Sequence, residues 1–359
     1  MPLVFDNIIF NLQSVGGISR YWLELIKPYK NSEFVTFIEH RKKNTNLYRN
    51  KISLGHLQGD HRLPVPIARY INFSQAFFDE KYIFHSSYFR VNTAPNVLNV
   101  TTVHDLMYEK FLKGIRASIH IKQKYNTLLK SDCIVCVSEH TLHDLYEFYP
   151  FCKNKKVVII PNGVEKFNQE PSHLSSMEHF SLTLNTKKFF LYVGNRGVYK
   201  GFSLVHDVLD LLGGDMVCVV VGNPFDNREL NKIEQLNHGK LIVNVGRVND
   251  SDLNQLYNLC EFFFFPSLYE GFGIPLLESM SAGAPILASN RASIPEVAGN
   301  AAILFDPENP HSLREALFLI NQTENRAQLI LNGFNRASDF NWGSVEKKYL
   351  NLYAELMSL

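Results

Sequence analysis

Residues 262–285 read FFFFPSLYEGFGIPLLESMSAGAP. The four phenylalanines form a run that is apolar on both faces, which fits a strand buried inside a parallel sheet. Pro266 and Ser267 end it. Pro275 suits the first turn of a following helix, because its fixed φ and missing N–H cost nothing there. Gly271 and Gly273 have no Cβ, so the intervening loop can bend and lie close to a ligand. Free N–H groups at such a helix start, with the positive end of the dipole, form a site for phosphate. Glu270 stands in that loop with no structural reason for its charge. Glu278, one turn into the helix, suits hydrogen bonds from sugar hydroxyls or simply favours the dipole.

Similar apolar runs recur along the chain. They fall at residues 8–10, 34–38, 82–84, 97–103, 133–137 and 157–160, then at 189–193, 216–221, 241–245, 262–265, 285–287 and 302–305. Segments with helical spacing lie between them, such as Leu204, Val208, Leu211 and Leu212. Strands buried on both faces that alternate with amphipathic helices predict an α/β fold with parallel sheets. The pattern occurs twice, so two Rossmann-like, doubly wound domains are expected. A polar stretch at 165–187 marks the join, giving domains at 1–170 and 171–341. Residues 342–359 form a last helix, with Trp342, Val345, Tyr349, Leu352, Tyr353 and Leu356 along one side.

A length of 359 residues is consistent with two domains. The net charge of +1 gives no whole-chain sign of nucleic-acid binding, yet residues 1–170 carry +7 and residues 171–359 carry −6. A basic first half fits a phosphorylated ligand or acidic lipid headgroups, and equally a scatter of solvated cations. No apolar run is long enough to span a bilayer. The start MPLVFDNIIF lacks the basic opening of a signal peptide, so a cytoplasmic protein is expected, with an option of peripheral contact on the inner face of the membrane. Cys133 and Cys136 lie in a strand-like run that turns their side chains to opposite faces, and no structural zinc is expected.

Taken together, strand, Pro-Ser, Glu-Gly-Phe-Gly, Pro, Glu and Ala-Gly-Ala-Pro resemble the donor-site signature of retaining family 4 glycosyltransferases, with Glu270 and Glu278 as their Glu-x7-Glu pair. The resemblance continues in VGNRGVYKGF at 193–202, where Arg196 and Lys200 match the cations that hold the donor diphosphate. Fixed cations there would stabilise the charge that develops on a departing diphosphate. VGRVNDSDLNQLY at 245–257 matches the segment whose backbone, near Val248, reads the nucleobase. GGISRY at 16–21 matches the N-terminal glycine loop, with Gly16 and Gly17 near the donor phosphates. His104, in TTVHDLMYE at 101–109, matches a histidine that contacts the transferred sugar.

The resemblance implies a GT-B fold, with the two domains facing across a cleft and the last helix crossing back to the first. It implies a metal-independent hexosyltransferase that retains anomeric configuration and uses a nucleotide-diphosphate sugar as substrate, with no cofactor. Glu270, Lys200, Arg196 and His104 would be catalytic, Glu270 either as the nucleophile of a double displacement or as a holder of sugar hydroxyls while the departing phosphate takes the acceptor proton. Gly16, Gly17, Val248, Gly271, Phe272, Gly273, Ile274 and Glu278 would bind the donor. His85 and Asp105 are expected on the acceptor side, facing a glycan or lipid-linked acceptor in surface polysaccharide assembly. Asp250-Ser251-Asp252 has the spacing of a metal-binding pair, but it opens a helix and reads as a cap. The basic stretch KFLKGIRASIHIKQK at 110–124 suits either an anionic membrane surface or an ordinary charged helix. A non-catalytic partner of an active transferase and a sugar-nucleotide 2-epimerase are the alternatives.

Overall fold

The structure is a computed structural model that describes residues 1–40, 44–60, 63–165, 167 and 188–358. Apart from Glu165 and Phe167, the expected join at 165–187 lies outside the described residues. The chain divides into two units, Met1–Gly163 with Trp342–Leu359, and Val164–Asn341.

The first unit is built on seven strands: β1 (Leu3–Asp6), β2 (Val35–His40), β3 (Leu57–Asp60), β4 (Tyr82–Ser86), β5 (Val97–Val103), β6 (Cys133–Cys136) and β7 (Lys156–Ile159). All pair in parallel, in the order β3-β2-β1-β4-β5-β6-β7. The strand expected at 8–10 is instead the short helix Ile9–Leu12, and the true first strand precedes it. Asp6 made that segment look polar. Its carboxylate is fully buried, where it accepts from Arg90 Nε at 2.7 Å and from Ser86 Oγ at 2.7 Å. Arg90 Nη1 also reaches Asp60 Oδ2 at 3.1 Å, so one guanidinium neutralises two buried acids. The edge strand β3 carries no apolar run, and no strand was expected there.

The helix Trp342–Ser358 covers this sheet, burying Val345, Tyr349, Leu352, Tyr353 and Leu356. Their three- and four-residue spacing forms one helical face. Beneath it, His85 joins Tyr353 Oη at 2.7 Å and Thr102 Oγ1 at 2.9 Å, and the Tyr21 and Tyr349 hydroxyls share a hydrogen bond.

The second unit has β8 (Phe189–Val193), β9 (Val217–Val221), β10 (Ile242–Gly246), β11 (Phe262–Phe265), β12 (Ile286–Ser289) and β13 (Ile303–Phe305). These are also parallel, in the order β10-β9-β8-β11-β12-β13. The four phenylalanines of β11 alternate between the two sides of the sheet, as successive strand residues must. Phe262 stacks on Phe190 at 5.2 Å and Phe264 on Phe305 at 5.7 Å. On the other side Phe263 meets Tyr257 edge-on at 5.2 Å. Each sheet reverses its strand order once, between β1 and β4 and between β8 and β11. Such switch points open a crevice at the carboxyl ends of the strands.

Candidate active site

In the second unit, the loops after β8 and β11 leave the sheet on either side of its switch point. They are fastened together there. Leu268 N donates to Tyr199 O across them at 2.7 Å, and within the first loop Tyr192 Oη donates to Asn195 O at 2.7 Å. Gly201 sits at φ 65°, and a Cβ on it would run into the carbonyl oxygen of Pro266. Glycine is therefore required twice over, for its backbone angle and for the close approach.

This fastening brings Lys200 and Glu270 together. Lys200 Nζ donates to Glu270 Oε1 at 2.6 Å, with side-chain exposures of 19% and 12%. Ser293 Oγ, from the loop after β12, donates to the Glu270 carbonyl at 3.0 Å and fixes the loop from beneath. Burial and the nearby Glu270 charge push the Tyr192 hydroxyl well above its ordinary pKa, so it stays a neutral donor. Gly273, at φ 96°, precedes the helix Ile274–Ala282, whose first turn contains Pro275 and has no side-chain cap. The N-cap position beside the pair is thus a glycine with no side chain to cap the helix, a setting that suits an anion.

Three other residues expected on the donor side lie in the same loop and helix, and two further expectations need correction. Gly271 is buried in the loop, Ile274 opens the helix and Glu278 is 5% exposed. Phe272 is a packing residue, since its buried ring meets Phe340 edge-on at 5.7 Å; only its backbone remains for a ligand. Arg196 is the second correction. Its Nε donates to Glu229 Oε1 at 2.6 Å and its Nη2 to Glu229 Oε2 at 2.9 Å. Nη1 and Nη2 also cap the carbonyls of Asn223 and Pro224, at 2.8 and 2.9 Å. Glu229 meanwhile completes a capping box with Asp226, and the Arg196 guanidinium holds its carboxyl below the usual range. A fork engaged at this many donors anchors the loop to the helix Asn227–Glu234 and leaves little for a diphosphate.

Val248 lies past β10, at the carboxyl edge of the sheet and two strands from β8. In the nearby Asp-Ser-Asp segment, Asn249 rather than Asp250 is the cap, accepting from Asp252 N at 2.9 Å.

In the first unit, His104 and Asp105 line a cavity of about 280 Å3 with Tyr88, Tyr108, His120, Lys124 and Arg69, among others. His104 packs edge-on against Tyr21 at 4.7 Å. Burial lowers its pKa to about 4, with Asp105 opposing and Lys124 assisting, so the imidazole is neutral at physiological pH. The Asp105 carboxylate accepts from Met107 N at 3.1 Å, which starts the next helix. His85 does not face this cavity. It is completely buried between two hydroxyls, and burial lowers its pKa to about 3, so it is a neutral core residue and not an acceptor ligand. Gly16 and Gly17 open the helix Gly17–Ile26, again without a side-chain cap. The sequence reading did not identify Ser293, Arg69, Tyr88 or His120. Ser293 was accessible by the same carboxyl-edge rule that singled out Glu270.

Comparison with known proteins matches the chain to one family. Residues 15–166 match Glycosyltransferase Family 4, and residues 176–336 match Glycosyl transferases group 1. The chain is a family 4 glycosyltransferase. An uncharacterized glycosyltransferase of Methanocaldococcus jannaschii is 26% identical to this family 4 glycosyltransferase over 365 aligned positions, 95% of either chain. The O-antigen chain mannosyltransferase B of Escherichia coli is 36% identical over 110 residues, 30% of this chain and 29% of that protein. The match thus spans under a third of the mannosyltransferase's length. Among solved structures, the Anabaena protein HepE in complex with UDP and glucose aligns with a TM-score of 0.73 at 15% identity, covering 100% of both chains. The fold is GT-B, as the sequence implied.

Proposed function

We propose that this family 4 glycosyltransferase moves a hexose-type sugar from a nucleotide-diphosphate sugar to a glycan or lipid-linked acceptor, retaining configuration at the anomeric carbon. The observation that carries this reading is the Lys200–Glu270 pair at the β8/β11 switch point, beside a helix N-terminus with no side-chain cap. A cation and a helix start at that crevice suit a diphosphate, and a carboxylate between them suits sugar hydroxyls.

In the proposed reaction the diphosphate takes Lys200 from Glu270, and Glu270 then orients the sugar. The acceptor hydroxyl oxygen bonds to the anomeric carbon as the bond from that carbon to the phosphate oxygen breaks. Its proton passes to the departing phosphate on the same face. Lys200 and the helix N-terminus meet the developing charge, with no metal in the step. On this reading the acceptor takes the first-unit cavity, which neutral His104 lines.

A role in surface polysaccharide assembly is supported by the name of the matched O-antigen mannosyltransferase. UDP- and GDP-hexoses are therefore the first donors to test. With such a panel, the wild type should slowly consume one donor in EDTA and release, from an α-linked donor, the α-anomer first by NMR. First release of the β-anomer would refute retention, and consumption of no donor would refute the transferase reading.

A further inference from the structure

The first unit carries a surface that the donor chemistry does not use. Residues 111–116, Phe-Leu-Lys-Gly-Ile-Arg, are all exposed. Ile115 is 81% exposed, and Phe111, Leu112 and Ile119 are each above 40%. The helix Ile115–Lys130 packs inward through Ala117, His120, Lys124, Thr127 and Leu128. Its outward side therefore holds Ile115, Ile119 and Lys122. Gly114, at φ 98° with open space where a Cβ would lie, immediately precedes that helix.

Of the five cations in this stretch, two are engaged inside the unit: Lys110 pairs with Asp144 at 2.5 Å, and buried Lys124 pairs with Glu109 at 2.9 Å. Lys113, Arg116 and Lys122 are exposed, and none of them forms an ion pair with a described residue. A second segment extends the patch. Gln123 Nε2 donates to the Arg69 and Phe89 carbonyls at 2.5 and 2.8 Å, and beside Arg69 the side chains of Ile67, Tyr70 and Ile71 are exposed. Large apolar side chains on a soluble surface are ordinarily scattered singly. Here they cluster among three cations with no acid interleaved in residues 110–125.

We propose that this face docks on an anionic lipid bilayer. Phe111, Leu112, Ile115 and Ile119 enter the headgroup and acyl boundary, and Lys113, Arg116 and Lys122 meet the lipid phosphates. The mixture selects the occupant, because an apolar surface studded with like charge matches a membrane interface better than a neutral protein face. His120 and Lys124, on the inner side of the same helix, line the first-unit cavity. On the proposed function, with a lipid-linked acceptor, docking brings that cavity to the membrane where the acceptor resides.

Co-sedimentation of the full chain with vesicles tests the docking. The protein should pellet with vesicles of one part phosphatidylglycerol to two parts phosphatidylcholine, and far less with phosphatidylcholine alone. Each removed cation should weaken partition about fivefold, so K113Q/R116Q/K122Q should lose on the order of 100-fold. L112S/I115S, which keeps every charge, should lose at least about tenfold. All these side chains are exposed, so unchanged thermal unfolding serves as the folding control. Failure of the wild type to pellet with the anionic vesicles would overturn the proposal. So would wild-type partition by L112S/I115S, which would reduce the effect to charge adsorption. Neither readout uses a sugar donor, so the docking and the transferase reading can fail separately.

Discussion

Glu270→Gln should tighten binding of a nucleoside diphosphate while abolishing most sugar transfer. In the structure Lys200 is already engaged, its Nζ 2.6 Å from Glu270 Oε1, so an incoming diphosphate must displace a carboxylate. The two side chains are 19% and 12% exposed. The pair therefore lies between an exposed ion pair, worth about 0–1 kcal/mol, and a well-shielded charged hydrogen bond, worth about 1.5–3 kcal/mol. Releasing roughly 1–2 kcal/mol corresponds to about 5- to 30-fold in the dissociation constant. Calorimetric titration of the wild type, Glu270→Gln and Lys200→Ala with the preferred diphosphate reads the effect directly. Lys200→Ala should move the other way and lose on the order of 10²–10³ in transfer rate. Equal weakening of diphosphate binding by both substitutions would refute the competition argument and make the pair a structural clasp.

Three further outcomes follow from the geometry. Gly201→Ala should lower the melting temperature and weaken nucleotide binding together, because its Cβ has no room against Pro266; a normal variant on both counts would contradict the close approach. Arg196→Gln and Glu229→Gln should have matching effects on stability and on nucleotide affinity, since each breaks the same anchor; loss of affinity in Arg196→Gln alone would restore the phosphate role. His85, His104 and His120 have pKa values lowered by burial to about 3, 4 and 4. The unfolded chain takes up protons first, near pH 6.5, so stability should fall as pH drops from about 6.5 toward 4, by up to about 1.4 kcal/mol per pH unit for each group. Denaturant unfolding at pH 7 and pH 5 checks this, and equal midpoints would contradict it.

Much of the fold was legible because parallel strands buried on both faces leave uniform apolar runs. The β8 and β11 strands fall where the sequence placed them, and the Gly-Phe-Gly-Ile-Pro turn marks the helix start that the structure shows. Where the reading failed, the missing information was a distant partner. Asp6 disguised β1 because its charge is cancelled by Arg90, 84 residues away. His85 looked functional because the hydroxyl of Tyr353, 268 residues on, is not visible in its local sequence. Arg196 resembled a phosphate ligand until Glu229, 33 residues on, was seen to hold it. Glu270 was singled out because it lies in a loop at a strand's carboxyl end, where the fold rule points, and Lys200 by the resemblance to family 4; the structure pairs the two across 70 residues.

The central claim is a nucleotide-diphosphate site at the β8/β11 switch point. A thermal-shift panel of GDP, UDP, ADP, CMP and dTDP on the wild type and Lys200→Ala tests it most directly. A ligand at a hundred times its dissociation constant stabilises the native state by about 2.7 kcal/mol, a shift of several degrees for a domain of this size. The account predicts one diphosphate that shifts the wild type and leaves Lys200→Ala nearly unmoved. No shift of the wild type by any of the five, or an equal shift in both proteins, would contradict it.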